Sequence, residues 1–314
     1  MEYNGIKVMW RILLLECICL IASSFLDAWL TDVLGLSMYP SMMIAQLHML
    51  IPIIIGGIYL MKSYRYYTFS NMIGLCGFDP VILLPIIFMP YASESFGTWM
   101  IWPYIQTLTD IFGAQTDAIN APESVSELLF MIALLCIIVP VIEETLFRGI
   151  LYKIIEPYGT LAAVFITAFA FAALHFSVPA FIVIFVVGSV MGFIRVCSGS
   201  IFPCMIFHAL FNLSSVVQLV FESEMSGFEV PIAVLSIIAA AVLPILIFLI
   251  YRVWGRGKFH RGVISDIKGG TVSLIIIIAI YAFMAISSAV MNNPDGINFD
   301  FGSDLLEEVY DLDF

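Results

Sequence analysis

The sequence predicts an all-α polytopic membrane protein with eight or nine transmembrane helices. Three observations carry that prediction. Of the 314 residues, 62% are hydrophobic and 11% charged, against about 45–50% and about 25% in an average soluble domain. Eight apolar runs approach the roughly 20 residues that a helix needs to cross a bilayer, and a ninth is interrupted. Drawn as nine crossings, the chain places all 12 Lys and Arg at or near one side, the positive-inside pattern. The same composition excludes a soluble domain and a disordered chain. With 24 acidic against 12 basic residues and no basic stripe, it also excludes a nucleic-acid binder.

The first run, 8–31, follows Lys7 and Arg11. It is too long for a signal peptide and has no clean small-residue cleavage site, so it reads as the first span. The second is 41–61. Residues 80–92 are short and broken at Pro85 and Pro90, and the apolar character resumes at 98–102 after a polar interruption, as an interfacial segment would. Further runs cover 126–147, 160–177, 179–197, 200–221, 231–251 and 271–291. If the 80–105 region crosses, with the N-terminus inside and the C-terminus outside, the later cations Arg148, Lys153, Arg195, Arg252, Arg256, Lys258, Arg261 and Lys268 face the cytoplasm. They then join Lys7, Arg11, Lys62 and Arg65 there. Without that crossing they change sides, so nine spans are preferred. The opposite loops are acidic, with Glu94, Asp110, Asp117 and Glu123 in one and Glu222, Glu224 and Glu229 in another.

The chain accordingly divides into 1–124 (N-terminal spans and an acidic loop), 125–222, 223–291 (C-terminal spans) and a solvated acidic tail, 292–314. No internal repeat appears, against a transporter built from two similar halves. Cys17, Cys19, Cys136, Cys197 and Cys204 lie in apolar runs, Cys76 lies near a connector, and no CxxC occurs; all read as small buried hydrophobes. The absence of eukaryotic retention or transit signals points to a prokaryotic cell membrane.

Ionisable groups inside a span cost at least about 2.5 kcal/mol each, which makes them functional candidates. Three clusters qualify. In Pro140-Val-Ile-Glu143-Glu144-Thr-Leu-Phe-Arg148, Glu144 and Arg148 share a helix face and can pair. Glu143 is rotated by roughly 100° and has no partner in its own helix, while Pro140 frees backbone groups nearby. The others are Phe171-x-x-x-His175 and His208-x-x-x-Asn212. Turns at Pro157-Tyr158-Gly159 and Cys197-Ser-Gly-Ser200 relate them in depth. At 1.5 Å per residue, Glu143 and His175 stand roughly 22 and 24 Å from the first turn, and His208 and Asn212 roughly 12 and 18 Å from the second. A modest tilt or vertical offset of one helix would bring all four into one cavity. A carboxylate and an imidazole facing a water suit general-base attack on a carbonyl, with a second imidazole and an amide as oxyanion donors. No HExxH, GxGD or GxSG signature is present. A Glu/His/His set can also bind zinc, so on residues alone the metal question stays open.

Glu143-Glu144-x-x-x-Arg148, Phe171-x-x-x-His175 and His208-x-x-x-Asn212 resemble, in order, spacing and membrane setting, the three motifs of the CAAX protease and bacteriocin-processing family, which includes the Ras-converting CAAX endopeptidases. The resemblance covers residues 125–222, with no departure inside the motifs. It implies a four-helix catalytic core in a glutamate-dependent intramembrane endopeptidase without metal or other cofactor. Glu143 and His175 would activate water, His208 and Asn212 would form the oxyanion site, and Glu144 and Arg148 would support them. The implied partners are the lipid bilayer and a prenylated or membrane-associated peptide substrate. A catalytically silent scaffold or bacteriocin-immunity protein is the alternative, followed by an ion-coupled transporter using Glu143 and His175 as a relay.

Overall fold

The computed structural model describes residues 4–64, 68–112, 121–221 and 229–262, with two-residue pieces at 278–279, 282–283 and 286–287. Among the described residues the chain is helical without strands, and one isolated bridge joins Gly159 to Arg261. Among the described residues, seven helices are long and apolar enough to span a membrane, and an eighth, Thr160–Ala173, is apolar but shorter. We label them α1 (Gly5–Asp32), α2 (Met38–Ser63), α3 (Met89–Phe112), α4 (Val125–Tyr158), α5 (Thr160–Ala173), α6 (Phe181–Ser198), α7 (Phe202–Val220) and α8 (Glu229–Ile250). The fold is therefore the expected polytopic all-α membrane architecture. The run 271–291 falls almost wholly outside the described residues, as do the tail 292–314, Asp117, Glu222 and Glu224.

Local chemistry sets the helix ends. Asn4 accepts from the Lys7 amide at the start of α1, and Ser124 from the Glu127 amide at the start of α4. These side chains satisfy donors that a first turn leaves unpaired. Asp79 caps the turn Pro80–Ile82, and a short helix Leu83–Ile86 then leads into α3. Between α4 and α5 the chain reverses at Gly159, whose φ of +121° is open only to a residue without a Cβ.

The structure corrects two sequence expectations. Residues 80–101 form one span candidate, as the charge argument required. The polar stretch Ser93-Glu94-Ser95 is inside α3, however, and not in an outer loop. Both serines are buried, and Ser93 Oγ donates to the Met89 and Pro90 carbonyls. Hydroxyls satisfied by their own helix and turned toward protein do not interrupt a span. The second correction concerns α5, which stops at Ala173, two residues before His175.

One end of the bundle gathers Cys76, Asp79, Gly159, Cys197, Ser200 and Trp254–Arg261. Ser200 Oγ donates to the Cys76 carbonyl, Lys258 Nζ to Cys197, and Trp254 Nε1 to Asp79. That is the end assigned to the cytoplasm by charge. The core lies where α4 meets α5, α6 and α7, around Phe147, Ile150, Ile154, Met191, Ile194 and Phe207. α5 and α6 approach closely across Gly188 and Gly192. A Cβ on Gly188 would lie 3.3 Å from Ala168 and 3.2 Å from Arg148 Nη2, the small-residue contact typical of membrane helix pairs.

Candidate active site

Glu143 and Glu144 lie on α4 between two π-helical turns, Leu134–Ile138 and Thr145–Leu151. Such turns widen the helix and shift its hydrogen-bond register by one residue. In the first, the Val139 amide bonds to the Leu134 carbonyl, so the next carbonyl, Leu135, faces Pro140, which has no N–H. Asn212 Nδ2 on α7 donates to Leu135 O instead, at 2.7 Å. The backbone group that Pro140 was expected to free is thus the anchor of Asn212.

Glu144 and Arg148 form the predicted pair. Arg148 Nη1 donates to Glu144 Oε1 at 2.9 Å and both side chains are fully buried. Arg148 Nη2 donates to the Gly188 carbonyl at 3.0 Å, and the guanidinium lies 4.5 Å from the centre of the Phe171 ring. His208 Nδ1 meets the same Glu144 oxygen at 2.9 Å. An oxygen that accepts from Arg148 also orients the imidazole, in the manner of the third member of a catalytic triad.

Glu143 has a different environment. Its Oε2 is 3.7 Å from His208 Nε2, too long for a hydrogen bond, and has no other partner; its side chain stays 16% exposed. His175 follows the end of α5, with Nδ1 2.8 Å from the Phe171 carbonyl. A carbonyl only accepts, so Nδ1 carries the hydrogen and the neutral ring presents a lone pair at Nε2. The next residue, Phe176, has φ +50°, an uncommon conformation for a bulky side chain. Such outliers cluster where a functional group must be held. The Phe171 ring stands edge-on to both imidazoles, at 4.7 Å from His175 and 5.8 Å from His208.

Glu143, His175, His208 and Asn212 all line one cavity of about 630 Å³, otherwise mostly apolar, with Val183, Val187 and Phe211 among its walls. The volume is within the range of ligand pockets. The four residues, 69 positions apart from first to last, thus share one cavity wall. Among the described residues, no three His, Cys, Asp or Glu side chains converge as a metal site.

Residues 125–214 match the family model described as Type II CAAX prenyl endopeptidase Rce1-like. Over that segment the chain is similar to the CAAX protease family. The matched segment runs from the first residue of α4 to two residues beyond Asn212, and so contains every residue of the site just described. No match was found among curated proteins or among solved structures. The family match supports a CAAX-type intramembrane protease in a multi-pass membrane protein.

Three ionisable residues outside the matched segment also line cavities at this site, and the sequence did not place them there. Glu94 on α3 lines the large cavity, with Oε2 buried and unpartnered. Glu16 on α1 and His48 on α2 line a second cavity of about 120 Å³ together with Glu143 and His175. The signal was available. Glu16 and His48 lie within apolar stretches, where an ionisable group is a functional candidate by default; Glu94, between two serines, was assigned to an outer loop instead.

Proposed function

We propose that this protein is a glutamate-dependent intramembrane endopeptidase that hydrolyses a peptide bond in a lipid-modified, CAAX-like or membrane-associated peptide. The observation that carries the reading is the asymmetry of the two adjacent glutamates. Both Oε2 atoms are unpartnered, but Glu144 is fully buried and bonded through Oε1 to Arg148 and His208, while Glu143 makes no hydrogen bond and lines the cavity.

In the proposed reaction Glu143, assisted by His175 Nε2, takes a proton from water as the water oxygen bonds to the substrate carbonyl carbon. The carbonyl oxygen becomes an oxyanion, for which Asn212 Nδ2 is one donor; His208 Nε2 is the second when the ring is an imidazolium, because its Nδ1 hydrogen is already directed at Glu144. Glu144 holds His208 in register and Arg148 holds Glu144. Collapse breaks the C–N bond, and the proton goes to the amine. An apolar cavity of this size suits a lipid chain or apolar side chains next to the scissile bond.

Mass spectrometry of peptides incubated with the protein in lipid, with and without a farnesyl group, tests the reading. Defined fragments are expected from the wild type, and Glu143→Gln is expected to lower kcat by at least roughly 100-fold, the lower bound for losing a general base. Product formation that withstands a chelator accords with glutamate chemistry, whereas its loss points to Glu143, His175 and His208 as zinc ligands. Fragments undiminished in Glu143→Gln would overturn the assignment of the base.

A further inference from the structure

The smaller cavity has a second ionisable wall. Glu16 and His48 are nearly buried, with side chains 4% and 8% exposed, and His48 Nε2 lies 2.8 Å from Glu16 Oε1. His48 Nδ1 is 2.9 Å from the Ala45 carbonyl, which only accepts, so Nδ1 carries a hydrogen. The contact between Nε2 and Oε1 therefore needs one proton of its own, because two lone pairs at that distance would repel. With that proton on Nε2, the pair is an imidazolium bonded to a carboxylate. Glu16 Oε2 is buried and has no hydrogen-bond partner, an arrangement that is rare and costly unless the oxygen has a use. The cavity it shares with Glu143 and His175 measures about 120 Å³, space for a few waters at roughly 30 Å³ each. Glu143 also lies close enough to act electrostatically on His48. The other ionisable neighbours are His175 across the cavity and Cys17 beside Glu16 on α1.

A purely structural tie between α1 and α2 accounts for the bond between Glu16 and His48. It leaves unexplained the unpartnered Oε2 and the cavity shared with the two residues assigned to water activation. We propose that Glu16 and His48 are positioning residues for the Glu143 site, and that Glu16 Oε2 is a parking site for the proton that Glu143 removes from water. The inference rests on the endopeptidase reading above. As the water oxygen bonds to carbon, its proton passes to Glu143 and across the cavity to Glu16 Oε2, which restores the Glu143 carboxylate. As the C–N bond breaks, the proton returns by the same route to the leaving nitrogen. The cycle neither consumes nor releases a proton and needs no co-reactant. His48 keeps Glu16 ionised and oriented through Oε1, leaving Oε2 open.

Two readouts on the full-length protein in lipid test this. In the first, Glu16→Gln and His48→Gln are each expected to lower kcat on the order of tenfold, less than loss of a direct general base would. KM should stay unchanged, and the kcat–pH profile should change shape. The double variant should be no slower than either single one, because the pair acts as a unit. Glu16→Asp, which keeps an ionisable group, should recover the wild-type profile. The second readout needs no cleavage: the pH midpoint of the His48 ring signals in nitrogen NMR should move when Glu143 is changed to Gln. Folded variants with a wild-type kcat–pH profile, losses that add in the double variant, or a His48 midpoint indifferent to Glu143→Gln would each overturn the proposal. If no peptide is cleaved while the His48 midpoint still follows Glu143→Gln, the endopeptidase reading fails and the proton coupling stands.

Discussion

At the scale of single residues, Glu143 and Glu144 are neighbours in sequence with opposite environments, and the difference is one of compensation. Glu144 Oε1 accepts from Arg148 and lies within hydrogen-bond reach of His208 Nδ1, and Arg148 makes a further bond to the Gly188 carbonyl. Both partners are fully buried, so removing one leaves the other as an uncompensated charge. Arg148→Ala is therefore expected to destabilise the protein by about 3–5 kcal/mol. Glu143, with no hydrogen bond at Oε2, should lose about 1 kcal/mol or less as Glu143→Gln. Unfolding of both variants in one detergent checks this, and equal stabilities would remove Arg148 from its supporting place. This division was legible in the sequence: the i, i+4 spacing announced the pair, and the 100° rotation left Glu143 outside it. The link from Glu144 to His208 was not legible, because it joins residues 64 positions apart and depends on how α4 and α7 pack.

At the scale of elements, α4 shows why a proline in a membrane helix can be an asset. Pro140 withdraws a donor from Leu135, and α7 supplies one through Asn212. The missing Pro140 donor and the placement of a candidate oxyanion donor are thus a single arrangement. In the wild type, Asn212→Ala strands the Leu135 carbonyl and should cost about 1–3 kcal/mol. Pro140→Ala restores an N–H to the helix, so the same Asn212→Ala change should cost less in that background. A double-mutant cycle on unfolding free energy should return a coupling of about 0.5–3 kcal/mol, and additive losses would separate the proline from the asparagine. The sequence revealed Pro140 and its consequence but neither π-helical turn, since the shift from α to π register is decided by packing around the helix. The early end of α5 escaped for a related reason. Residues 161–174 are apolar apart from Thr167 and carry no Gly or Pro to signal that the chain turns away before His175. Glu16 and His48 escaped because α1 and α2 were read for length and hydropathy, which one ionisable residue in a long apolar run barely alters.

At the scale of the whole molecule, the cations and the inter-helix contacts gather at the same end of the bundle. Tyr158–Gly159, Cys197–Ser200 and Trp254–Arg261 meet there, as nine crossings require of loops on one side. Among these contacts is a clasp between the start of the third span and the end of the eighth helix. The Trp254 indole N–H donates to Asp79 Oδ2 at 2.9 Å, and the Val81 amide to Oδ1 at 3.0 Å. The indole bond first, and the amide second, hold the Asp79 carboxyl below its ordinary range. A carboxylate lowered on folding stabilises the folded state fully above its unfolded value, near roughly pH 4, and that contribution is lost as pH falls through the folded value. Acidification across this window should therefore lower the thermal midpoint of the wild type more than that of Asp79→Asn. Trp254→Phe should fall between them, because it keeps the Val81 bond. Thermal unfolding in lipid at a series of pH values measures the difference. Parallel curves for the wild type and Asp79→Asn would mean that the clasp does not hold α8 to the rest of the bundle, and that the shared end is kept together by its other contacts, Lys258 to Cys197 and Ser200 to Cys76.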